Sequence, residues 1–231
     1  MNLLEENTQK TVDLVLKQLN NFWDDTDAGV ILAAVPATLE AMKANFKGSP
    51  NRRFYDSEND RVIFSPVYSI QWMIFLYRLS HQIYLNGEGS TPKEADQVYY
   101  LNKVMHSNDW FYAIDLPEHF MCEHPLGSVL GRASYGDHFF VYQGSTVGGN
   151  RSKGVLSYPV IGDNVILFAN STVLGDTRIG NNVVVSAGTQ IINETVLDNC
   201  IVFGKSPELV IKTKSENEIK EYTKHIWGWE V

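Results

Sequence analysis

Residues 161–192 read IGDNVILFANSTVLGDTRIGNNVVVSAGTQII, and Ile161-Gly162-Asp163-Asn164 returns eighteen residues later as Ile179-Gly180-Asn181-Asn182. A step of eighteen is too short for a repeated domain and too regular for a loop. With Tyr135, Ile161, Ile179 and Leu197 as the first residues of four rows, Val141, Leu167, Val185 and Phe203 stand six residues in. Val147, Val173, Ile191 and Leu209 stand twelve residues in. An apolar residue at every sixth position, three to a row, describes a three-sided coil with one short strand per side. Each row then buries the face that its neighbour cannot bury alone. Small residues four on from the apolar position (Ser145, Ser171, Thr177, Thr189, Thr195) suit a tight corner, and Gly136, Gly162 and Gly180 suit a turn. The first row is eight residues longer than the others, so a loop must leave the coil within NRSKGVLSYP, residues 150–159. The spacing predicts a parallel β-helix.

Outward from the coil, the period becomes helical. Val12, Val15, Leu16, Leu19 and Phe22 share a face near the start of the chain. A second helical pattern covers VILAAVPATLEAMKANF, interrupted by Pro36, and a third lies within residues 67–86. Thr91-Pro92-Lys93-Glu94 has the form of a capping box with proline at the first helical position, opening a helix through His106. Ser215-x-x-Glu218 repeats that signal before the tail, which ends Trp229-Glu230-Val231. The fold class is therefore α + β: a helical domain over residues 1–107, a parallel β-helix over 108–212, and a helical tail over 213–231.

Composition narrows the function. The 231-residue chain carries a formal charge of −8, which argues against nucleic acid or an anionic membrane as partner, both being polyanions. Only Cys122 and Cys200 are present, without a CxxC pair, so neither a disulfide framework nor a structural zinc site is expected. The opening MNLLEENTQK places acids where a signal peptide carries bases, and a cytoplasmic setting is expected.

The hexad rows together with GSTVGG at 144–149, EHPLGSVLG at 123–131, FGKSPELVIK at 203–212 and FLYRLSHQIYLNG at 75–87 resemble the hexapeptide-repeat acyltransferases, most closely the serine O-acetyltransferases. The resemblance covers residues 65–212 and is weak before residue 60. It implies a left-handed coil, against the usual right-handed crossover of parallel strands. It also implies transfer of an acetyl group from acetyl-CoA to the hydroxyl of a small acceptor, with no metal.

In that family a histidine on a coil edge removes the hydroxyl proton, and the matching residue is His124. Histidine titrates near working pH and suits a general base. The family orients it with an aspartate fifteen residues earlier, which here is Asp109; a gapped match through IDLP selects Asp115 instead. Trp110, Leu116 and Cys122 keep the six-residue step around the ungapped match. Positions matching the acetyl-CoA groove are Gly148, Gly149, Ala169 and Ala187, with Lys205 available to a phosphate.

Acceptor recognition departs from the family. Ser157-Tyr158-Pro159 stands where the family has arginine and histidine before the proline, and the bidentate partner of an amino-acid carboxylate is lost with the arginine. Glu123 keeps a carboxylate beside the base. Glu123 and Tyr158 are the acceptor-binding candidates, and Asp56 and Asp60 are candidates for the family's helical-domain aspartate. L-Serine or a relative is the first acceptor expected and a sugar hydroxyl the second. A non-catalytic scaffold is a further alternative, as is a zinc carbonic anhydrase built on His119 and His124, five residues apart. The family also implies a homotrimer, or a hexamer as a dimer of trimers. Phe139, Phe140, Ile166, Phe168, Val184 and Val202 lie between the assigned inward positions and are expected to be hidden by a neighbouring chain, or else by the helical half. The family docks a terminal isoleucine into a sulfhydrylase partner, and this chain has valine at its last position instead.

Overall fold

A computed structural model describes residues 8–88, 90, 92–152 and 154–228. Its contacts divide the chain into two units. The first runs to residue 107, without 48–51 and with 111–113 added, and the second contains the remainder.

The first unit holds four helices: α1 (Thr8–Leu19), α2 (Ala28–Phe46), α3 (Ser69–Asn86) and α4 (Lys93–His106). α1 buries Val12, Val15 and Leu19. α2 is capped by the Asp27 carboxylate, which accepts from the Gly29 N–H at 2.8 Å. It runs unbroken through Pro36, where the sequence predicts an interruption. Pro36 and Leu32, one turn earlier, are both exposed, so the carbonyl that loses its partner lies on the solvent side. Ile31, Ala34, Val35, Thr38, Leu39 and Met42 continue one buried face across the proline. α4 begins at Lys93 with Pro92 as its N-cap, one residue later than expected, and Thr91 lies outside the described residues. Between α2 and α3 a hairpin pairs Tyr55–Asp56 with Arg61–Val62. Its loop engages both acids: Asp56 meets Arg61 at 3.4 Å, and Asp60 accepts from the Tyr55 hydroxyl at 2.6 Å.

The second unit is the parallel β-helix. One side stacks strands Ser134–Tyr135, Val160–Ile161, Arg178–Ile179 and Thr195–Val196. The next stacks Phe120–Glu123, Phe139–Tyr142, Val165–Leu167, Val183–Val185 and Cys200–Lys205. The third stacks Asp109–Trp110, Val129–Leu130, Thr146–Gly148, Thr172–Leu174 and Gln190–Ile192. Inside, Val141, Leu167, Val185 and Val202 lie over one another at 0% exposure, as do Val147, Val173 and Ile191. Each such side chain contributes about 1.5–3 kcal/mol of burial. Strands Asn150–Ser152 and Val155–Ser157 leave the coil as an antiparallel pair, within the segment expected to be extruded.

The last row is one residue shorter than the alignment predicts. Ile179 pairs with Val196 and Val185 with Val202, a step of seventeen. Leu197 and Phe203, expected inside, are 73% and 36% exposed, and Thr195 faces solvent. The polar corner sets this register. His138, Asn164, Asn182 and Asn199 occupy it in successive coils, all with φ between 53° and 58°. Asn164 Nδ2 donates to Asn182 Oδ1 at 2.9 Å, and Asn182 Nδ2 to Asn199 Oδ1 at 3.0 Å. Preserving that ladder brings Val196 inside. The glycines before it have a different cause from the one inferred above. Gly136 and Gly162 are not in left-handed conformations, but a Cβ on Gly136 would stand 2.3 Å from the Gly162 carbonyl carbon. The stacked backbones simply leave no room.

After the coil, strand Glu208–Thr213 folds back on Cys200–Lys205, and α5 (Glu216–Trp227) follows. Ser215 and Glu218 form the predicted capping box, while residues 229–231 lie outside the described residues. α5 changes the reading of the apolar residues assigned to a neighbouring chain. Phe139 and Val202 point into the coil and are fully buried. Phe140, Ile166 and Val184 point outward yet are only 0–4% exposed. α5 covers this side: Ile219 packs with Val184, Ile201 and Phe168, and the Trp227 ring meets Phe140 at 6.2 Å. An amphipathic helix of the same chain does what a partner was expected to do. Among the described residues no helix is long and apolar enough to cross a membrane.

Candidate active site

His124 follows strand Phe120–Glu123 at a corner of the second unit, with φ 49°. A histidine with positive φ directly before a proline is an uncommon backbone state that its surroundings must hold. They do so through several bonds. The His124 carbonyl accepts from the Leu126 N–H at 2.7 Å, and the Pro125 carbonyl accepts from the Ser128 hydroxyl at 2.6 Å and N–H at 3.1 Å. The Trp110 indole N–H donates to the same hydroxyl at 2.8 Å, tying the corner to the coil interior. The imidazole itself is 75% exposed, with Nε2 3.9 Å from Glu123 Oε1.

Glu123 is held in turn. Its Oε2 accepts from the Tyr142 hydroxyl at 3.0 Å, and the Tyr142 ring stacks on Phe168 at 5.1 Å and 11°. Desolvation, reinforced by the hydrogen bond to Glu123, pushes the Tyr142 phenol up to about 12. It is therefore a fixed donor across neutral pH. Tyr142 was not among the sequence candidates. The strand register pairs it with Glu123, and a match of the Phe120 row to the Phe139 row would have exposed that pairing.

Five of the candidates flank one edge of the coil. Gln143, Ala169 and Ala187 stand at the same corner position as His124 in the next three coils: His124 and Gln143 follow the pair Glu123 and Tyr142 by one residue, and Gln143, Ala169 and Ala187 follow the aligned Val141, Leu167 and Val185 by two. At about 4.8 Å per coil, Ala169 is about 10 Å and Ala187 about 14 Å from His124 along the edge. The side that starts there carries one outward row: Asp109, Val129, Thr146, Thr172, Gln190 and Lys205 pair in sequence. Asp109 thus begins and Lys205 ends a row beside the His124 corner, and the Asp109 N–H donates to the Ser128 carbonyl at 2.8 Å. Asp115 is exposed between buried Ile114 and Leu116, one side of the coil further on. Gly148 and Gly149 lie at the next corner, at the root of the extruded hairpin. There a Cβ on Gly149 would come within 2.8 Å of the Tyr158 ring. Tyr158 itself is 41% exposed.

His119 and His124 do not converge. They bracket strand Phe120–Glu123 and so lie about 16 Å apart at 3.3 Å per residue, out of reach of a common ion within one chain. The helical-unit histidines are structural: His81 Nδ1 contacts the Tyr112 carbonyl at 2.7 Å and His106 Nδ1 contacts Asn102 Oδ1 at 2.8 Å.

Comparison with known proteins bears on the fold. Residues 158–193 match the family model described as bacterial transferase hexapeptide, six repeats. A serine acetyltransferase from Synechocystis sp. is 28% identical over 104 residues, 45% of this chain and 41% of that protein. The chain spans less than half the length of the first curated relatives it matches. Among solved structures, serine acetyltransferase from Brucella abortus superposes with a TM-score of 0.64 at 20% identity, over 86% of this chain and 80% of that one. Serine acetyltransferase from Neisseria gonorrhoeae in complex with serine gives 0.63 at 22% identity, over 90% and 95%. At these identities the likeness is one of fold. The chain carries hexapeptide repeats and shares the helical-domain and β-helix fold of the serine acetyltransferases.

Proposed function

We propose that the protein is an acetyl-CoA-dependent O-acetyltransferase acting on a small hydroxyl compound, with L-serine or a close relative as the preferred acceptor. The observation that carries this reading is the shared edge: an exposed, backbone-strained His124 lies in line with the small residues Ala169 and Ala187, beside the row from Asp109 to Lys205. An extended pantetheine needs close backbone approach, which the alanines permit. Lys205, exposed at the far end of the row, suits a phosphate.

His124 takes the acceptor's hydroxyl proton as that oxygen attacks the thioester carbonyl carbon. The C–S bond breaks, the acetyl group leaves on the acceptor oxygen, and the proton departs on the CoA thiol. Asp109 orients the imidazole; its row adjoins the His124 corner, whereas Asp115 lies on a different side of the coil. Holding the two substrates together lowers the barrier relative to solution, and backbone donors near the thioester stabilise the oxyanion. Glu123, fixed by Tyr142, is placed to meet an ammonium group, and this favours an amino acid over a sugar.

Loss of the basic pair before Pro159 leaves the acceptor's carboxylate without its family partner, so selectivity is tested directly. Free thiol release from acetyl-CoA is followed with L-serine, L-homoserine and simple sugars in parallel. Fast release with L-serine alone supports the reading. Release with sugars alone replaces the acceptor, and no release with any of them returns the fold to a scaffold role. The functional unit is a homotrimer or a dimer of trimers, in which a neighbouring coil forms the second wall of the acetyl-CoA groove.

A further inference from the structure

The corner ladder changes chemistry in its first two coils. Asn199, Asn182 and Asn164 pass side-chain amide hydrogen bonds up the stack, but the next two positions are His138 and His119. Asparagine suits the left-handed conformation that His138 adopts at φ 58°, so the coil itself does not require histidine here. The change has a cost. Asn164 Oδ1, next in the ladder below His138, is buried with no hydrogen-bond partner.

The two imidazoles stack at 4.8 Å and 17°, and both turn Nδ1 toward one carboxylate. Asp137 Oδ2 lies 3.0 Å from His119 Nδ1 and 3.0 Å from His138 Nδ1. Asp137 Oδ1 meanwhile serves the backbone, accepting from the His119 N–H at 3.0 Å. Asp163, Asn181 and Asp198 likewise accept one backbone N–H each from the coil above, from Asp137, Asp163 and Asn181, one register position earlier than His119. The second oxygen of Asp137 is therefore surplus to the fold.

We infer that His119, Asp137 and His138 form a binding site for a single divalent transition-metal ion of the zinc or nickel type. The three donor atoms lie within 4.8 Å of one another. Two imidazole nitrogens and one carboxylate oxygen suit borderline ions and not magnesium or calcium, which prefer all-oxygen shells. The ion takes the place of the protons now shared between the rings and Oδ2, and it requires the two rings to tilt together. The backbone beneath them is fixed by the ladder. All three side chains are 26–39% exposed, leaving room for water to complete the shell. With Nδ1 on the metal, His119 Nε2 faces Glu118 Oε1 at 3.6 Å, the outer carboxylate that commonly orients a ligating histidine. The Trp227 ring stands edge-on to His138 at 5.0 Å, so the bound ion would join the first two coils beside the end of α5. This site is separate from His124, at the other end of strand Phe120–Glu123.

Calorimetric titration of the untagged, chelator-stripped full chain with zinc chloride, nickel chloride and magnesium chloride tests the site. Saturable zinc and nickel binding at one ion per chain, with none for magnesium, is expected. His119→Asn and His138→Asn, which install the residue used by the other coils, should each weaken zinc binding by at least about tenfold, while His225→Asn leaves it unchanged. Wild-type imidazole NMR resonances should shift on zinc addition for His119 and His138 alone, a readout independent of any variant's folding. Absence of saturable zinc binding up to millimolar concentration would overturn the proposal. So would unchanged affinity in both folded asparagine variants.

Discussion

The hydroxyl of Tyr142 donates to Glu123 Oε2 at 3.0 Å across two paired strands, fixing a carboxylate beside the histidine at the coil's exposed corner. Tyr142→Phe removes only that bond, because the ring still stacks on Phe168. The variant should lose about 0.5–1.5 kcal/mol of stability. It should raise KM for an amino-acid acceptor several-fold with a smaller change in kcat. Steady-state kinetics check this, and an unchanged acceptor KM would separate Glu123 from acceptor binding.

His124→Ala should lower kcat by about 10²–10⁴ with acetyl-CoA binding nearly intact, because a general base acts mainly in the transition state. Asp109→Asn should also cost activity without unfolding the chain, whereas Asp115→Asn should cost little. The reverse ranking of the two aspartates, in the same thiol-release assay, would transfer the orienting role to Asp115.

Ile219 is fully buried between α5 and the coil. Ile219→Ala should destabilise the second unit by about 2–5 kcal/mol, measured by urea denaturation. It should also increase binding of a hydrophobic dye, because Val184, Ile201 and Phe168 lose their cover. A variant with wild-type stability would mean that α5 is not anchored through this contact.

Desolvation lowers His106 from its ordinary value of 6.5 to about 4. Between those values the unfolded chain binds the proton and the folded one does not, so stability falls as the pH drops from about 6.5 to about 4. His106→Gln should flatten this slope in thermal melts across the window. An unchanged slope would show that other groups carry the acid sensitivity.

Sedimentation at micromolar concentration should give a multiple of three chains. The test does not rest on Phe140, Ile166 and Val184, since α5 already covers them. An active, strictly monomeric species would remove the shared groove and the roles given to Ala169, Ala187 and Lys205.

The sequence by itself determined the coil. Hexad spacing needs no long-range information, because each inward residue meets its own repeat one row away, and so Val141, Leu167 and Val185 were legible as core. The edge histidine was legible from its local string, EHPLGSVLG. Only the tertiary structure decided the rest. The seventeen-residue last step follows from the asparagine ladder, whose hydrogen bonds run between coils and outweigh the apolar pattern that favoured Leu197 and Phe203. Cover of the outer face by α5 depends on a chain reversal after Lys205, invisible to periodicity. The pairing of Tyr142 with Glu123, and of the His119 imidazole with Asp137, depends on strand register. Residues nineteen apart become neighbours only when a coil closes, and no local spacing encodes that closure.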